Sequence, residues 1–455
     1  MSSPQDLPLA AAAPPCTPAN PSPSAPHFSN CTHCGFCLAV CPTYQLTGDE
    51  NNSPRGRIRL WSDEFEGKMP ANAWTDHYTS ECVGCLACET ACPAGVPYGE
   101  LFEKTRHAHV ESLRHNPSPA LRFSALLAAN PPLMNLAGLP ARIARRTNLP
   151  IHPLLPPGRP ALMESTAEYA RRLVRTHQTK GPRVALLTGC LMESVFRDIN
   201  FATVRVLIAS GCQVEIPENQ TCCGAFQEHT GLGGCESLRE KNRHAFTSDT
   251  YDFIAANSSG CGHSLAKALS DTARVIDVLS LLGEIGVPSR KSPDPQARLY
   301  VDLPCHLVHG QKTTIPKTVL DATGIPWQYA PNASDCCGSG GVYNLEKPEN
   351  ARAILEKKSR FLESASGDPV ILGTANHVCL MQWYSAGSLG LVKRPYLTKH
   401  LIELLDPEPS PKVAPAENQA LRAPTRPLIL APITAPTPLK PLPAECEHDS
   451  HPPRY

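Results

Sequence analysis

Between residues 183 and 405 short apolar runs alternate with stretches of helical periodicity. Arg183-Val-Ala-Leu-Leu-Thr188 is an apolar run of strand length. Met192, Val195, Phe196, Ile199, Val206 and Leu207 follow at helical spacing, and Gly211 closes that helix. Val214-Glu215-Ile216 and Tyr251-Asp-Phe-Ile-Ala255 restart strands. The order then recurs. Arg298-Leu-Tyr-Val-Asp302 reads as a strand, a helical run reaches Gly324, Trp327 and Tyr329 begin another strand, and Val370-Ile-Leu372 a third. Strands alternating with helices predict two α/β half-domains, 181–290 and 296–405, each around a mostly parallel sheet.

Upstream, residues 106–180 read as a helical connector. Their longest uncharged stretch, 123–141, contains Ser124, Asn130, Pro131, Pro132, Asn135 and Pro140, which argues against a bilayer-spanning helix. A buried helical hairpin with a Pro-Pro turn is the plain expectation. The flanking Arg122 and Arg142 leave open a surface that rests on a membrane or a partner. At the two ends, residues 1–27 carry eight prolines and residues 406–455 thirteen, so both read as disordered tails.

Charge excludes some classes. Forty-two basic and 42 acidic residues cancel, so no attraction to nucleic acid or to an acidic membrane follows from net charge. The first Lys or Arg is Arg55, so no secretory signal peptide is expected, and the compartment is expected to be reducing. Twenty cysteines in such a compartment point to metal rather than disulfides.

Eight of them lie in two runs, Cys31-x2-Cys34-x2-Cys37-x3-Cys41-Pro42 and Cys82-x2-Cys85-x2-Cys88-x3-Cys92-Pro93. This is the two-cluster ferredoxin pattern, in which the fourth Cys ligates the other cluster. One 4Fe–4S cluster is therefore expected on Cys31, Cys34, Cys37 and Cys92, and a second on Cys82, Cys85, Cys88 and Cys41, within a domain at 28–105. Gly35 and Gly84 would let backbone amides approach the sulfurs. Two structural zinc sites would explain neither the triple spacing nor the Cys-Pro ends. Between the runs, Arg55, Arg57 and Arg59 can offset cluster charge, meet a partner, or form an exposed basic loop.

The second set follows the α/β repeat. Cys190, Cys222, Cys223 and Cys261 correspond to Cys305, Cys336, Cys337 and Cys379, at offsets of 115 (190 to 305), 114 (222 to 336) and 118 (261 to 379). Most stand just after a predicted strand, where α/β sheets collect ligands. Four soft ligands per repeat suit an Fe–S cluster, a zinc or a thiol redox pair, with structural cysteine as the plain alternative. His263, His306 and His377 adjoin these motifs but are not placed among the ligands. Cys212 and Cys235 have no counterpart in the second repeat and read as buried apolar residues. Cys16 and Cys446 fall in the tails. No G-x-G-x-x-G follows a strand and no phosphate-binding loop is present, so a flavin or nicotinamide site on this chain is not expected.

Asn30-Cys-Thr-His-Cys-Gly-Phe-Cys-Leu-Ala-Val-Cys-Pro-Thr-Tyr44, Gly48-Asp-Glu50 and Ser53-Pro-Arg-Gly-Arg57 resemble the iron–sulfur subunits of glycolate oxidase (glycolate dehydrogenase). Glu81-Cys-Val-Gly-Cys-Leu-Ala-Cys-Glu-Thr-Ala-Cys-Pro-Ala-Gly-Val96 and the two Cys-Cys-Gly domains extend the likeness over 28–405. The resemblance implies a complex. FAD-binding partner subunits would oxidise glycolate to glyoxylate, and this subunit would pass electrons on, to quinone or another acceptor, from the inner face of the cytoplasmic membrane. The Cys-Cys-Gly domains also resemble those of heterodisulfide reductase, lactate-oxidation proteins and anaerobic glycerol-3-phosphate dehydrogenase. This keeps open a thiol/disulfide reductase, or the iron–sulfur subunit of a related dehydrogenase. There the motif can end Cys-x-x-Cys. Here Ser264 and Gln382 occupy the final position, and repeat two has Val378 where repeat one has Gly260.

Overall fold

The computed structural model describes residues 28–408 apart from 71, 113, 150–151, 248, 271–272 and 291–293. The ends at 1–27 and 409–455, with Cys16 and Cys446, lie outside the described residues.

The N-terminal module is helical. Helix α1 (Pro54–Phe65) starts where Ser53 accepts a hydrogen bond from the Gly56 amide and Pro54 supplies a preset φ. Helix α2 (Ala73–Ser80) starts on an Asn72 capping box. Helix α3 (Tyr98–Glu111) lies against both and carries the module beyond residue 105 to Glu111. Ile58, Trp61, Tyr98, Leu101 and Phe102 form the core between them.

An ionic knot pins α3. His109 is fully buried, with Nδ1 3.2 Å from Asp76 and Nε2 3.2 Å from Glu64. Both ring nitrogens face carboxylates, and only the imidazolium can donate from both. Burial alone would lower the His109 pKa, but the hydrogen bonds to Asp76 and Glu64 outweigh it and the pKa is raised. Burial would likewise raise Asp76 and Glu64, yet the His109 contacts hold both below the usual carboxylate range. A raised histidine stabilises below its unfolded pKa of about 6.5, and that gain is lost as pH rises through the folded value. Depressed carboxylates stabilise above about pH 4, and that gain is lost as pH falls through their folded values. The knot should therefore contribute most between about pH 4.5 and 6.5. In that window His109→Gln should cost about 2 kcal/mol, and above it the deficit should shrink. Thermal melts of both proteins across pH test this, and a deficit that grows with rising pH would refute it.

Three consecutive helices follow: α4 (Pro119–Ala129), α5 (Pro131–Ala137) and α6 (Leu139–Thr147). Each has proline in its first turn. Pro131 and Pro132 therefore open a helix rather than form a hairpin turn, because the missing N–H costs nothing there. The expected buried hairpin is not what forms. Leu121, Ala125 and Ala128 of α4 face inward, but α5 buries no side chain. Helix α7 (Thr166–His177), capped by a Ser165 capping box, leads into the repeats.

The repeats hold two four-stranded parallel sheets. In the first, β1 (Arg183–Leu187), β2 (Gln213–Glu215), β3 (Phe253–Ala256) and β4 (Val275–Asp277) take the order β2-β1-β3-β4. In the second, β5 (Arg298–Val301), β6 (Trp327–Tyr329), β7 (Val370–Thr374) and β8 (Leu397–His400) take the equivalent order β6-β5-β7-β8. The duplication expected from the cysteine offsets is a duplication of topology. Strands β4 and β8 were not expected. One has three residues, the other reads Leu-Thr-Lys-His, and both lie at sheet edges where no long apolar run is required. Each ends in the cap of the next helix. Asp277 accepts from the Leu279 amide and His400 from the Ile402 amide.

One core spans both repeats, joining Val184, Leu186 and Leu207 to Leu299, Val301 and Leu401. Helix α8 (Arg197–Ala209) of the first repeat packs on the last helix of the second (Leu401–Leu405). Arg205 pairs there with buried Asp406, a residue the proline count had assigned to the tail.

Candidate metal centres

Two cavities open in the N-terminal module, and the cysteine runs cross between them. The first is lined by Cys31, Cys34, Cys37 and Cys92, with Arg55, Ile58 and Tyr98, and Cys88 borders it. The second is lined by Cys41, Cys82, Cys85 and Cys88, with Arg57 and Tyr98. The cause is local. Cys41 caps the helix Pro42–Thr47, which turns the chain away from its own run. Cys34 is exposed, whereas all four cysteines of the second cavity are buried. The Gly84 amide, at φ +73°, donates to Cys82 Sγ at 3.4 Å, and Tyr98 Oη donates to the same sulfur at 3.5 Å.

Do these residues fit an iron–sulfur group? Burial and the neighbouring Cys85, Cys82 and Cys41 push the Cys88 thiol well up. Four buried sulfurs cannot all be thiolates without positive charge among them. Arg57 supplies part of it and also leaves a donor over. Its Nη1 is buried with no hydrogen-bond acceptor among the described residues, on the cavity wall. Soft thiolates around a space with a spare N–H donor suit a sulfide-bearing cluster. Among the described residues no three His, Cys, Asp or Glu side chains converge on a point that a single ion could occupy.

The three arginines between the runs part company. Arg55 donates to the His33 carbonyl at 2.9 Å and to Glu50 at 2.6 Å beside the first cavity. Arg57 is fully buried and donates to the Tyr78 carbonyl, Thr43 Oγ1 and Asn52 Oδ1 at 2.7, 3.1 and 3.2 Å. Burial opposes its charge, but Tyr98 and the Cys82 and Cys41 sulfurs outweigh that and raise its pKa. Arg59 is exposed and pairs with Asp63.

In each repeat the thiols meet at the carboxyl ends of three adjacent strands. Cys190 follows β1, Cys222 and Cys223 follow β2, and Cys261 lies in the first turn of helix α9 (Ser259–Leu269) after β3. Cys222 and Cys223 are buried in one cluster, and Cys190 and Cys261 pack against it. In the second repeat Cys305 packs on the cluster that holds Cys336, and Cys337 shares a buried cluster with Cys379 of helix α10 (His377–Ser388). Gly338, at φ +87°, turns its amide back to Cys336 Sγ at 3.4 Å, which a residue with a Cβ could do only under strain. Ser264 Oγ donates to the Cys223 carbonyl at 2.8 Å, and Gln382 accepts from Asn344 at 3.0 Å. Where a fifth thiol could stand, these side chains instead brace loops.

The sites are joined. Cys85 of the N-terminal module packs in one buried cluster with Cys336 of the second repeat, together with Val83, Ala87 and Ile354. The two repeats meet through Ser258 and Asn376, each three positions before the last cysteine of its motif. Ser258 is the N-cap of the helix that carries Cys261 in its first turn. Ser258 Oγ donates to Asn376 Oδ1 at 2.9 Å, and Asn376 Nδ2 donates to Cys379 Sγ at 3.4 Å. Short links therefore run from the second cavity through repeat two to repeat one. His377 Nδ1 lies 3.0 Å from Ser258 Oγ, with its pKa lowered to about 3 by burial. The His306 ring lies 5.4 Å from the rings of His229 and His263.

A 4Fe–4S dicluster domain matches residues 27–96, and a cysteine-rich domain matches twice, at 184–266 and 301–383. The glycolate oxidase iron–sulfur subunit of Escherichia coli (strain K12) is 32% identical over 400 residues, covering 83% of this chain and 93% of that protein. The probable glycolate oxidase iron–sulfur subunit of Bacillus subtilis (strain 168) is 30% identical over 416 residues, covering 82% and 93%. The chain belongs to the family of glycolate oxidase iron–sulfur subunits. Lactate utilization protein A of Geobacillus sp. (strain WCH70) is 27% identical over 248 residues, covering 49% of this chain and 99% of that protein. The family resemblance read from the two cysteine runs and the Cys-Cys-Gly repeats holds.

Several residues of this family member were invisible to motif reading. Lys358, buried, donates to Asp302 at 2.6 Å and to the Ala333 carbonyl at 3.2 Å, and it faces the Cys337 and Cys336 sulfurs. Its place in an ordinary amphipathic helix carried no signal. Cys235, expected to be merely buried, lies against the first Cys-Cys-Gly loop and donates to the Gly224 carbonyl at 3.7 Å. Cys212 is a core residue, as expected, and burial raises its pKa to about 11.

Proposed function

We propose that this chain is the iron–sulfur electron-transfer subunit of a flavin-dependent glycolate dehydrogenase complex, with the FAD on partner subunits. Cys31, Cys34, Cys37 and Cys92 would hold one 4Fe–4S cluster, and Cys82, Cys85, Cys88 and Cys41 the other. Cys190, Cys222, Cys223 and Cys261, and Cys305, Cys336, Cys337 and Cys379, would hold further clusters in the repeats. When bound, such clusters supply transfer of one electron at a time. The chain's own residues space the thiol sets, bury them from water and set the charge around them. The acceptor is quinone or another carrier, reached from the inner face of the cytoplasmic membrane. Among the described residues no helix is long and apolar enough to cross a membrane, which accords with a peripheral position.

The observation that carries this reading is the shared buried cluster of Cys85 and Cys336, which makes the repeats a continuation of the N-terminal module. Ser264 and Gln382 favour an electron carrier over a disulfide reductase, because neither offers the fifth sulfur. The test is reconstitution. The anaerobically purified chain mixed with its flavoprotein partners should give glycolate-dependent quinone reduction that neither gives alone. Full quinone reduction by the flavoproteins without this chain would overturn it. Iron and acid-labile sulfide per chain should exceed the eight irons that two cubanes hold, and about eight would leave the repeats as thiol sites.

A further inference from the structure

The layer α4–α6 has an outer face that nothing in the described chain covers. Half of the large apolar side chains left exposed among the described residues fall between positions 123 and 163. Helix α4 turns Leu121 and Ala125 inward and leaves Phe123 60% and Leu126 56% exposed. On α5, Leu133 and Leu136 are 50% and 69% exposed, and Ile143 continues the apolar surface on α6. The helices are sequential, with α4 packed on α5 and α5 on α6.

Charge is segregated to the same segment. From residue 112 through 163 there is no Asp, Glu or Lys, but there are six arginines, in a chain of zero net charge. Arg114 pairs with Glu64, Arg145 pairs with Asp198, and Arg142 is buried. Arg122, Arg146 and Arg159 are exposed and take part in no salt bridge among the described residues. Whole-chain neutrality thus conceals a basic, apolar face. A protein partner presents rim charges of both signs, whereas a bilayer of anionic lipid presents one sign over an apolar interior. The exclusion of every carboxylate from this segment matches the second.

We propose that the α4–α6 face is where the protein lies on an anionic membrane, with Phe123, Leu126, Leu133 and Leu136 in the acyl boundary and Arg122, Arg146 and Arg159 among the lipid phosphates. The proposal rests on the reading of the protein as peripheral to the membrane, and it names the surface. It also orients the molecule. Ala128 and Ala129, near the end of α4, pack against Cys190, Cys222 and Cys223. The thiols of the first repeat then lie about one helix diameter, ~10 Å, from the lipid.

Flotation of the anaerobically purified full-length chain with vesicles tests it. Binding is expected to vesicles of phosphatidylcholine with phosphatidylglycerol, to weaken with salt, and to be lost on phosphatidylcholine alone. Leu133→Ser with Leu136→Ser should lower partitioning more than tenfold. Arg122→Gln and Arg146→Gln should each lower it roughly five-fold, from the attraction of one charge to an anionic surface. Far-ultraviolet dichroism and the visible spectrum of each variant should match the wild type. Equal flotation of wild type and variants would overturn this surface and leave the peripheral reading standing. So would flotation of the complex with its flavoprotein partners when the chain alone does not float. If neither floats, both fall. If the leucine variants float normally but no longer co-purify with the flavoproteins, the face belongs to a protein partner and the proposal is overturned.

Discussion

Cys92→Ser is expected to abolish the same cluster as Cys34→Ser, and Cys41→Ser the same cluster as Cys85→Ser, although each pairing crosses between the two runs. Sequence neighbourhood would pair Cys41 with Cys37 and Cys92 with Cys88. The cavities pair them otherwise, because the turn into the helix Pro42–Thr47 carries Cys41 to the wall shared with Cys82, Cys85 and Cys88. Each variant should lose about four irons and four sulfides, one cubane's complement, and its electron paramagnetic resonance spectrum should match that of its cavity partner. Quinone reduction in the reconstituted complex should fall by more than the ~100-fold that changes outside the ligand shell cost. A Cys92→Ser spectrum matching Cys85→Ser rather than Cys34→Ser would refute the crossing. The second cavity should tolerate loss worse, since its four cysteines are buried and an unfilled site leaves their sulfurs without solvent.

The second large effect is expected at Arg57. Arg57→Met removes the guanidinium from a fully buried position and strands the Tyr78 carbonyl and the side chains of Asn52 and Thr43. Breaking a buried charged network on one side costs about 3–5 kcal/mol. The reduction potential of the adjacent cluster should also become more negative, because a positive charge on the cavity wall favours the form carrying one more electron. Arg59→Met is the control. Its partner Asp63 is a surface neighbour one turn away, and such substitutions stay within about 0.5 kcal/mol. Chemical denaturation and a redox titration of the three proteins decide the matter. A wild-type melting curve and potential for Arg57→Met would show that the buried guanidinium neither holds the module nor tunes the site.

How much of this was legible can be judged from single residues. Cys31, Cys34 and Cys37 could be grouped from their spacing, since three sulfurs two residues apart share one loop wherever that loop lies. Strands β1, β3, β5 and β7 were legible because central strands of a parallel sheet are buried on both faces and read as apolar runs. Strands β4 and β8 were not, because an edge strand can be short and polar. The charge balance misled in one respect. It counted the arginines of 112–163 against carboxylates that lie elsewhere in the chain.

The sequence by itself determined the two cysteine runs, the duplicated half-domains and the family, since each rests on residues held together by spacing along the chain or by an offset between copies. Which of Arg55, Arg57 and Arg59 is buried, that Cys85 meets Cys336, that Ser258 meets Asn376, and that α4–α6 face outward were decided only by the tertiary structure. These depend on what packs against a residue from elsewhere along the chain. Periodicity reports which side of an element is apolar, but not what that side meets.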